Sequence, residues 1–320
     1  MRYRTLGRSG LSVSCVSLGS WLTFGNAVDA AATERIVRRA HELGVVLFDT
    51  ADVYNRGEGE RALGKAIHGL RREHLVLASK CFFPMSEDVN DRGLSRKHIL
   101  ESLHASLRRL ATDYLDLYQC HRPDPAVPLA ETARAMHDLI QAGKVLYWGV
   151  SMWPPELLRS VTQLCAERGW HAPISNQPPY NLLERSIEQG VIAAGRECGI
   201  GQIVYSPLAQ GVLTGKYRNP EVRDPKTRAG NPKINQFLGK WLTDDALQRV
   251  EGLRHLAQRL GLSAAQVALA FCLRHDEVAS VIVGATSEQQ LEDNVRAAAV
   301  TLPPDAVAEL DRLFPVTAPA

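Results

Sequence analysis

The sequence predicts an α/β fold, a single (β/α)8 TIM barrel, on three observations. Eight short apolar runs alternate with amphipathic helical segments along the chain. The 320 residues suit one large barrel, and 45% apolar residues are enough for a sizeable core. No Pro/Gly/Ser-rich linker and no low-complexity tract interrupts the rhythm, so residues 1–320 are expected to form one domain. A doubly wound sheet is the weaker alternative, because eight strands are counted and no Gly-x-Gly-x-x-Gly follows the first of them.

The elements follow in order. Tyr3 to Leu6 and Leu11 to Ser14, joined through Gly7 to Gly10, read as a β-hairpin. Cys15–Leu18 is the first barrel strand, closed by Gly19, and Thr33–Leu43 is a helix with Ile36, Val37, Ala40 and Leu43 on one face. Val45–Phe48 is the second strand, bounded by Gly44 and by polar residues, and Glu58–Ile67 is its helix. Leu75–Ala78 precedes a long helix over Ser95–Leu110, in which Leu100, Leu103, Leu107 and Leu110 share a face. Leu115–Tyr118 leads to the helix Leu129–Gln141, stopped by Gly143. Val145–Val150 leads to Pro155–Arg168, whose proline occupies a first turn where a missing N–H costs nothing. Ile174–Asn176 pairs with Ile187–Cys198, and Ile203–Tyr205 with Ser263–Leu273, which opens on a capping box of Ser263 and Gln266. Val278–Val283 is the eighth strand, followed by Glu288–Ala298 and a last helix, Pro304–Leu313.

One stretch breaks the rhythm. Ala209 to roughly Thr243 is rich in Gly, Pro and Asn and carries Lys216, Arg218, Arg223, Lys226, Arg228 and Lys233 against Glu221 and Asp224. Long structureless loops inside a compact domain are uncommon and usually functional. A basic one beside the seventh and eighth strands fits a lid over a phosphate; it fits equally a solvated loop whose charges keep it soluble.

Composition removes several function classes. There are 37 basic and 35 acidic residues, a net charge of +2, which makes no case for nucleic acid or an acidic membrane surface. The six cysteines are scattered without a Cys-x-x-Cys pair and read as buried thiols of a reducing compartment. Arg2, Arg4 and Arg8 are followed by no long apolar stretch, so no signal peptide is expected, and no window reaches the roughly 20 apolar residues a membrane helix needs. A cytoplasmic protein without membrane insertion is the expectation.

A barrel of this kind builds its active site at the carboxyl ends of its strands. The second strand ends at Asp49 and leads to Tyr54, the third at Ser79-Lys80, the fourth at Gln119-Cys120-His121, the fifth at Gly149-Val150-Ser151, the sixth at Asn176-Gln177 and the seventh at Tyr205-Ser206. Singly, each has an ordinary explanation: a surface lysine, a structural histidine, a loop-capping aspartate, a core tyrosine with its hydroxyl at the rim. The set is the signal, because Asp, Tyr, Lys and His from consecutive strand ends can point into one mouth.

Metal-assisted hydrolysis would need several His and carboxylate ligands at these ends, and only His121 is there. Acyl transfer lacks a Gly-x-Ser-x-Gly elbow. A Lys80 Schiff base is the better rival, since a strand lysine can serve as an amine nucleophile. Carbonyl reduction uses all four residues. Hydride delivery to a carbonyl leaves an alkoxide that needs a proton. A free tyrosine, with a pKa of about 10, gives its proton up slowly. A neighbouring Lys80 ammonium is expected to make Tyr54 the better acid, with Asp49 holding the lysine and His121 orienting the carbonyl oxygen. The hydride must come from a nicotinamide cofactor.

Asp49, Tyr54, Lys80 and His121, within Asp49-Thr50-Ala51-Asp52-Val53-Tyr54 and the strand ends that follow, resemble the catalytic set of the aldo-keto reductase family one by one. The resemblance covers nearly the whole chain. Gly93-Leu94-Ser95-Arg96-Lys97-His98-Ile99, His121-Arg122-Pro123-Asp124-Pro125 and Tyr205-Ser206-Pro207-Leu208-Ala209-Gln210-Gly211 are similar to the branch that holds the voltage-gated potassium channel beta subunits and their bacterial relatives. It implies that the opening hairpin closes the barrel floor. It also implies NADPH/NADP+ bound in an extended form without a Rossmann motif. Carried over, Ser151, Asn176 and Gln177 would hydrogen-bond the nicotinamide amide and Tyr205 would stack on the ring. Ser206, Leu208, Gln210, Gly211 and Lys216 would line the pyrophosphate and the closing loop, and Arg228 would reach the adenosine side. Gly284, Ala285 and Thr286, with Gln290, Asp293 and Asn294, would take the 2′-phosphate and adenine. Gly284 to Ser287 also joins a strand to a helix start, where backbone N–H groups favour an anion. Ser20 and Trp21 match cofactor-contacting positions, and Trp21, Phe82 and Trp153 are expected at the substrate mouth with Tyr54 and His121.

Two functions compete. One is an NADPH-dependent reductase of aldehydes or ketones acting on a small carbonyl substrate. The other is an NADPH-binding, redox-sensing regulatory subunit of a membrane channel. The channel subunits carry asparagine where this chain has His121, and some carry a long amino-terminal extension ahead of the hairpin with which this chain begins; both features favour the enzyme. The resemblance also implies a possible homo-oligomer.

Overall fold

Short β-branched and leucine-rich runs between glycine-stopped helices close into a parallel barrel. The computed structural model of the chain describes residues 1–221, 224, 227–232 and 234–316. The chain opens with an antiparallel pair, β1 (Tyr3–Thr5) and β2 (Ser12–Ser14). Next come β3 (Val16–Gly19), α1 (Ala30–Glu42), β4 (Leu47–Asp49), α2 (Glu58–Ala66), β5 (Val76–Cys81), α3 (Arg96–Leu110), β6 (Leu115–Cys120) and α4 (Leu129–Gln141). The second half runs β7 (Val145–Val150), α5 (Pro155–Arg168), β8 (Ser175–Asn176), α6 (Val191–Cys198), β9 (Gly201–Val204), α7 (Asp244–Arg259), α8 (Ala264–Cys272), β10 (Val278–Val283), α9 (Glu288–Arg296) and α10 (Pro304–Leu313). Strands β3 to β10 form one closed barrel, and every neighbouring pair in it is parallel.

The eight expected strands are all present, with ends displaced by a few residues. The capping box of Ser263 and Gln266 forms, and Pro155 lies in the first turn of α5. One helix was not assigned from the sequence. Its start, Thr243, accepts a hydrogen bond from the Ala246 amide at 3.2 Å, with Asp244 and Asp245 in the first turn. Val250, Leu253, Leu256 and Ala257 then bury one face of α7. Acids at a helix N-terminus are stabilised by its dipole. The loop ahead of it is not structureless either, since it holds short 3₁₀ turns at Ala209–Thr214 and Arg228–Gly230. Arg223, Lys226 and Lys233 of the expected basic lid lie outside the described residues.

Two apolar layers support the mouth. Between barrel and helices lies a continuous core that includes Phe48, Tyr118, Trp148 and Phe271. Inside the barrel, Leu47, Val76, Ala78, Leu117, Ile203 and Ala279 pack with Leu6 and Val13 of the hairpin, so the hairpin plugs the amino-terminal end. Gly7, at φ +60°, makes this docking possible: a Cβ there would sit 2.2 Å from the Gly199 carbonyl oxygen. All six cysteines are free thiols. Among the described residues no helix is long and apolar enough to cross a membrane, and no group of three or more His, Cys, Asp or Glu could hold a metal ion.

Candidate active site

Side chains alternate along a strand, so one residue in two faces the barrel interior. In β4 and β5 the inward residues at the floor are Leu47, Val76 and Ala78. The same parity, carried to the strand ends, turns Asp49 and Lys80 into the mouth. They are 3% and 0% exposed. Lys80 Nζ donates to Asp49 Oδ1 at 2.6 Å, to the Thr50 carbonyl at 2.8 Å and to the Tyr54 hydroxyl at 3.2 Å. All three ammonium hydrogens therefore have acceptors. Asp49 Oδ2 accepts from Gln177 Nε2 at 2.9 Å and from Gln119 Nε2 at 3.4 Å. The His121 ring stands edge-on to Tyr54, with centroids 5.6 Å apart and planes at 77°. The four residues expected to act together thus meet at one point.

Electrostatics correct one part of the sequence argument. Lys80 was expected to make the Tyr54 phenol more acidic. Instead burial, and after it the Asp49 charge, hold the phenol well above its ordinary value of 10.0. Lys80 is closely paired with Asp49, so the pair presents little net charge to the phenol, and desolvation dominates. Burial also lowers the Lys80 ammonium, against the opposing pull of Asp49. His121 is pushed well below 6.5, first by burial and then by Lys80 and Arg122, so its imidazole is neutral. Its Nδ1 is buried with no hydrogen-bond partner among the described residues.

From this point a single cleft of about 1270 Å³ runs outward. Pockets for drug-sized ligands are roughly 300–1,000 Å³, so this one has room for an extended dinucleotide and a small substrate. Ser20, Trp21, Ser151, Gln177 and Tyr205 line it near Tyr54 and His121. Ser206, Leu208, Gln210, Gly211, Lys216 and Arg228 line a further stretch, as do Gly284, Thr286, Gln290, Asp293 and Asn294. The backbone turns sharply there: Ser206, Ala209 and Gln210 hold φ of 52°, 45° and 58°. Three non-glycine residues in the left-handed region within one loop are strain of the kind that accumulates at binding sites. Lys216 is exposed to the cleft, and Arg228, half-buried, donates to Gln210 Oε1. Burial lowers both cations, and Lys216 is lowered further by Arg228. Among the described residues no carboxylate pairs with either of them. Two cations without carboxylate partners on the wall of a long cleft fit the phosphates of a dinucleotide.

Three expected positions fall elsewhere. Asn176 is fully buried off the cleft wall, and its amide clasps the Trp153 backbone, accepting from the Trp153 N–H at 3.3 Å. Trp153 is only 2% exposed and also lies off the wall. Phe82 packs on the outer core, and Phe83 takes the cleft position, edge-on to His121 at 4.9 Å. Sequence reasoning also missed Arg122 and Phe237, which line the mouth; Phe237 packs on Trp21 at 4.9 Å. The Gly284 to Ser287 turn is partly occupied by its own side chains, since Gln290 Oε1 accepts from the Thr286 amide at 3.1 Å.

A closed parallel barrel with a Lys–Asp–Tyr–His mouth opening onto a dinucleotide-sized basic cleft defines the class, a nicotinamide-dependent oxidoreductase. The sequence profile of the Aldo/keto reductase family matches residues 16–314, and the chain belongs to that family. It is similar to a probable voltage-gated potassium channel subunit beta of Oryza sativa subsp. japonica, with 40% identity over 316 residues, covering 97% of this chain and 96% of the relative. A probable voltage-gated potassium channel subunit beta of Arabidopsis thaliana is 40% identical over 300 residues, covering 93% and 91%. A putative voltage-gated potassium channel subunit beta of Schizosaccharomyces pombe is 37% identical over 325 residues, covering 98% and 94%.

Proposed function

We propose that the chain reduces aldehydes or ketones to alcohols with NADPH, and that Tyr54 supplies the proton. The observation that carries this reading is the Lys80 ammonium, held by Asp49 at 2.6 Å and set 3.2 Å from the Tyr54 hydroxyl beside a neutral imidazole. When bound, the nicotinamide would supply the hydride. Tyr54, protonated at rest, donates to the substrate oxygen as negative charge develops there. The Lys80 N–H, 3.2 Å from the Tyr54 oxygen, then donates to the phenolate that remains, a hydrogen bond stronger in the transition state than in the resting site. Neutral His121 has one N–H with which to hold and orient the substrate oxygen. Gln177 and Ser151 would hydrogen-bond the nicotinamide amide, and Tyr205 would stack on the ring. Ser206, Leu208, Gln210, Gly211 and Lys216, which line the cleft, would take the pyrophosphate. Arg228, with Gly284, Thr286, Gln290, Asp293 and Asn294, would take the adenosine end. The unpaired Lys216 and Arg228 favour NADPH over NADH, because the extra phosphate adds charge to a cleft that already has uncompensated cations.

The test is oxidation of NADPH and NADH against small aldehydes by wild type and Tyr54→Phe. Turnover that falls by roughly a hundredfold or more in the variant, with NADPH binding kept, supports the assignment, on the usual scale for a general acid. The names of the three relatives favour a second reading, an NADPH-binding regulatory subunit of a channel. Tight NADPH binding without turnover of any carbonyl would move the assignment there. Cytoplasmic location and assembly into a homo-oligomer belong to the same proposal, as does the action of residues 1–320 as one unit.

A further inference from the structure

The cleft wall carries four cations and two carboxylates: Arg122, Lys216, Arg228 and Lys240 against Asp49 and Asp293. Both carboxylates are engaged within the protein. Asp49 holds Lys80 and Gln177, at 2.6 and 2.9 Å, and Asp293 accepts from Ser263 Oγ at 2.9 Å and from Gln266 Nε2 at 2.7 Å. Lys240 lies 3.8 Å from Glu184. Lys216 and Arg228 belong to the 209–230 loop, where the proposed cofactor phosphates lie. Arg122 is a different case, because it follows His121 directly at the end of β6.

Its position is built. Arg122 Nη1 donates to the His121 carbonyl at 2.6 Å, and the guanidinium lies over the Phe83 ring, 5.3 Å from its centroid. Phe83 in turn stands against His121, and His121 against Tyr54. The nearest carboxylate in sequence, Asp124, is occupied by the Leu94 and Ala126 amides at 2.8 and 3.0 Å. Among the described residues no carboxylate pairs with Arg122, and its positive charge is felt by Tyr54, Lys80, His121 and Tyr205 alike. A half-buried guanidinium with free N–H groups, directed along one wall of a reaction pocket, is a fork that matches a carboxylate or phosphate in two-point geometry.

We propose that Arg122 selects anionic carbonyl substrates, compounds with an acid group a short carbon skeleton away from the aldehyde or ketone. The aldehyde oxygen meets Tyr54 and His121, the skeleton lies along Phe83 and Trp21, and the acid group meets the Arg122 guanidinium. This deepens the reductase reading and rests on it.

The test compares matched pairs that differ only in the acid: 4-carboxybenzaldehyde with benzaldehyde, succinic semialdehyde with butanal, and glyceraldehyde 3-phosphate with glyceraldehyde. Wild type is expected to favour the anionic member in kcat/KM by roughly tenfold or more, the scale of one hydrogen bond to a charged group. The carboxylate and phosphate pairs show which acid the fork prefers. Arg122→Met should collapse the ratio through KM, and Arg122→Lys, which keeps a point charge but not the fork, should retain part of it. Equal kcat/KM within every pair, or a ratio unchanged in Arg122→Met, overturns the proposal. Turnover of no carbonyl at all would fail the reductase reading instead. Calorimetric binding of 4-carboxybenzyl alcohol against benzyl alcohol then decides the inference alone: tighter binding of the acid that is lost in Arg122→Met supports it, and equal binding overturns it.

Discussion

Gln177 donates to Asp49 Oδ2 at 2.9 Å across the barrel mouth, 128 residues away in the chain. The other oxygen of Asp49 takes Lys80 at 2.6 Å. One buried carboxylate therefore ties β4, β5 and the end of β8 together at the place where chemistry is proposed. Such an arrangement is only stable as a set. In Lys80→Met the Asp49 carboxylate, 3% exposed, loses its cation. Stability should fall by about 3–5 kcal/mol, the usual effect of stranding a buried charge. The double variant Asp49→Asn, Lys80→Met should recover most of that loss while remaining inactive. Urea denaturation of the two variants checks this. Equal losses in both would mean that the pair contributes by packing and not by charge.

The unpaired cations give a cofactor prediction. Arg228→Ala should weaken NADPH binding by roughly tenfold or more, the loss of one charge-assisted contact, and NADH binding by clearly less. Raising ionic strength should weaken NADPH binding to wild type and narrow the gap to the variant, because a cleft open to solvent is screened. Fluorescence titration with both nucleotides at two salt concentrations reads this. Equal losses for both would place Arg228 on a group that the two cofactors share.

Most of the fold was legible because glycine stops and apolar periods of 2 and 3.6 agree along the chain. The Asp49, Lys80 and His121 cluster was legible for the same reason, since Asp49 and Lys80 sit on strands where parity fixes direction and His121 follows β6 directly. Two of the misassigned residues, Phe82 and Trp153, lie past a strand end, where the chain turns and parity fails. Phe82 has the parity of Lys80, yet β5 ends at Cys81 and the chain turns, which brings Phe83 to the cleft. Trp153 has the parity of Ser151, but Met152 between them has φ 62°, and the tryptophan folds under instead. Asn176 and Gln177 are neighbours of opposite parity, so only one of them could face Asp49. The turn at Ser206, Ala209 and Gln210, all three left-handed, is one that no local period announces.

That difference between Phe82 and Phe83 can be measured directly. Phe83→Ala removes a ring set edge-on to His121 at 4.9 Å and should raise KM for aromatic aldehydes. Phe82→Ala should instead lower stability, by up to the roughly 3–5 kcal/mol of a buried phenylalanine and less because Phe82 is partly exposed, with KM little changed. Steady-state kinetics beside thermal melts of the two variants separate these outcomes. A KM effect confined to Phe82→Ala would reverse the assignment.

Behind Tyr54 lies a second carboxylate, which predicts how stability depends on pH. Asp52 is fully buried, accepting from the Val53 amide at 2.6 Å and from Ser102 Oγ at 2.8 Å. Glu60, also fully buried, pairs with Arg109 at 2.6 Å and accepts from Ser79 Oγ at 2.6 Å. Burial first, and the Glu60 charge after the opposing Ser102 hydrogen bond, push Asp52 from 3.8 up to about 7. Tyr54, Lys80, Cys81 and Tyr118 also feel the Asp52 charge. The native state thus holds a proton that the unfolded chain releases near pH 4. Its contribution to stability is present below that value, falls as pH rises and is gone above about pH 7. Asp52→Asn keeps the carbonyl acceptor and removes the charge. Relative to wild type it should gain stability as pH rises from about 4 to about 7, by at most about 1.4 kcal/mol for each pH unit of the window, and hold that gain above it. Denaturation midpoints for both proteins across this range are the check. Parallel curves would mean that Asp52 is ionised in the folded protein throughout, with Arg109 and the Ser102 hydrogen bond compensating its burial.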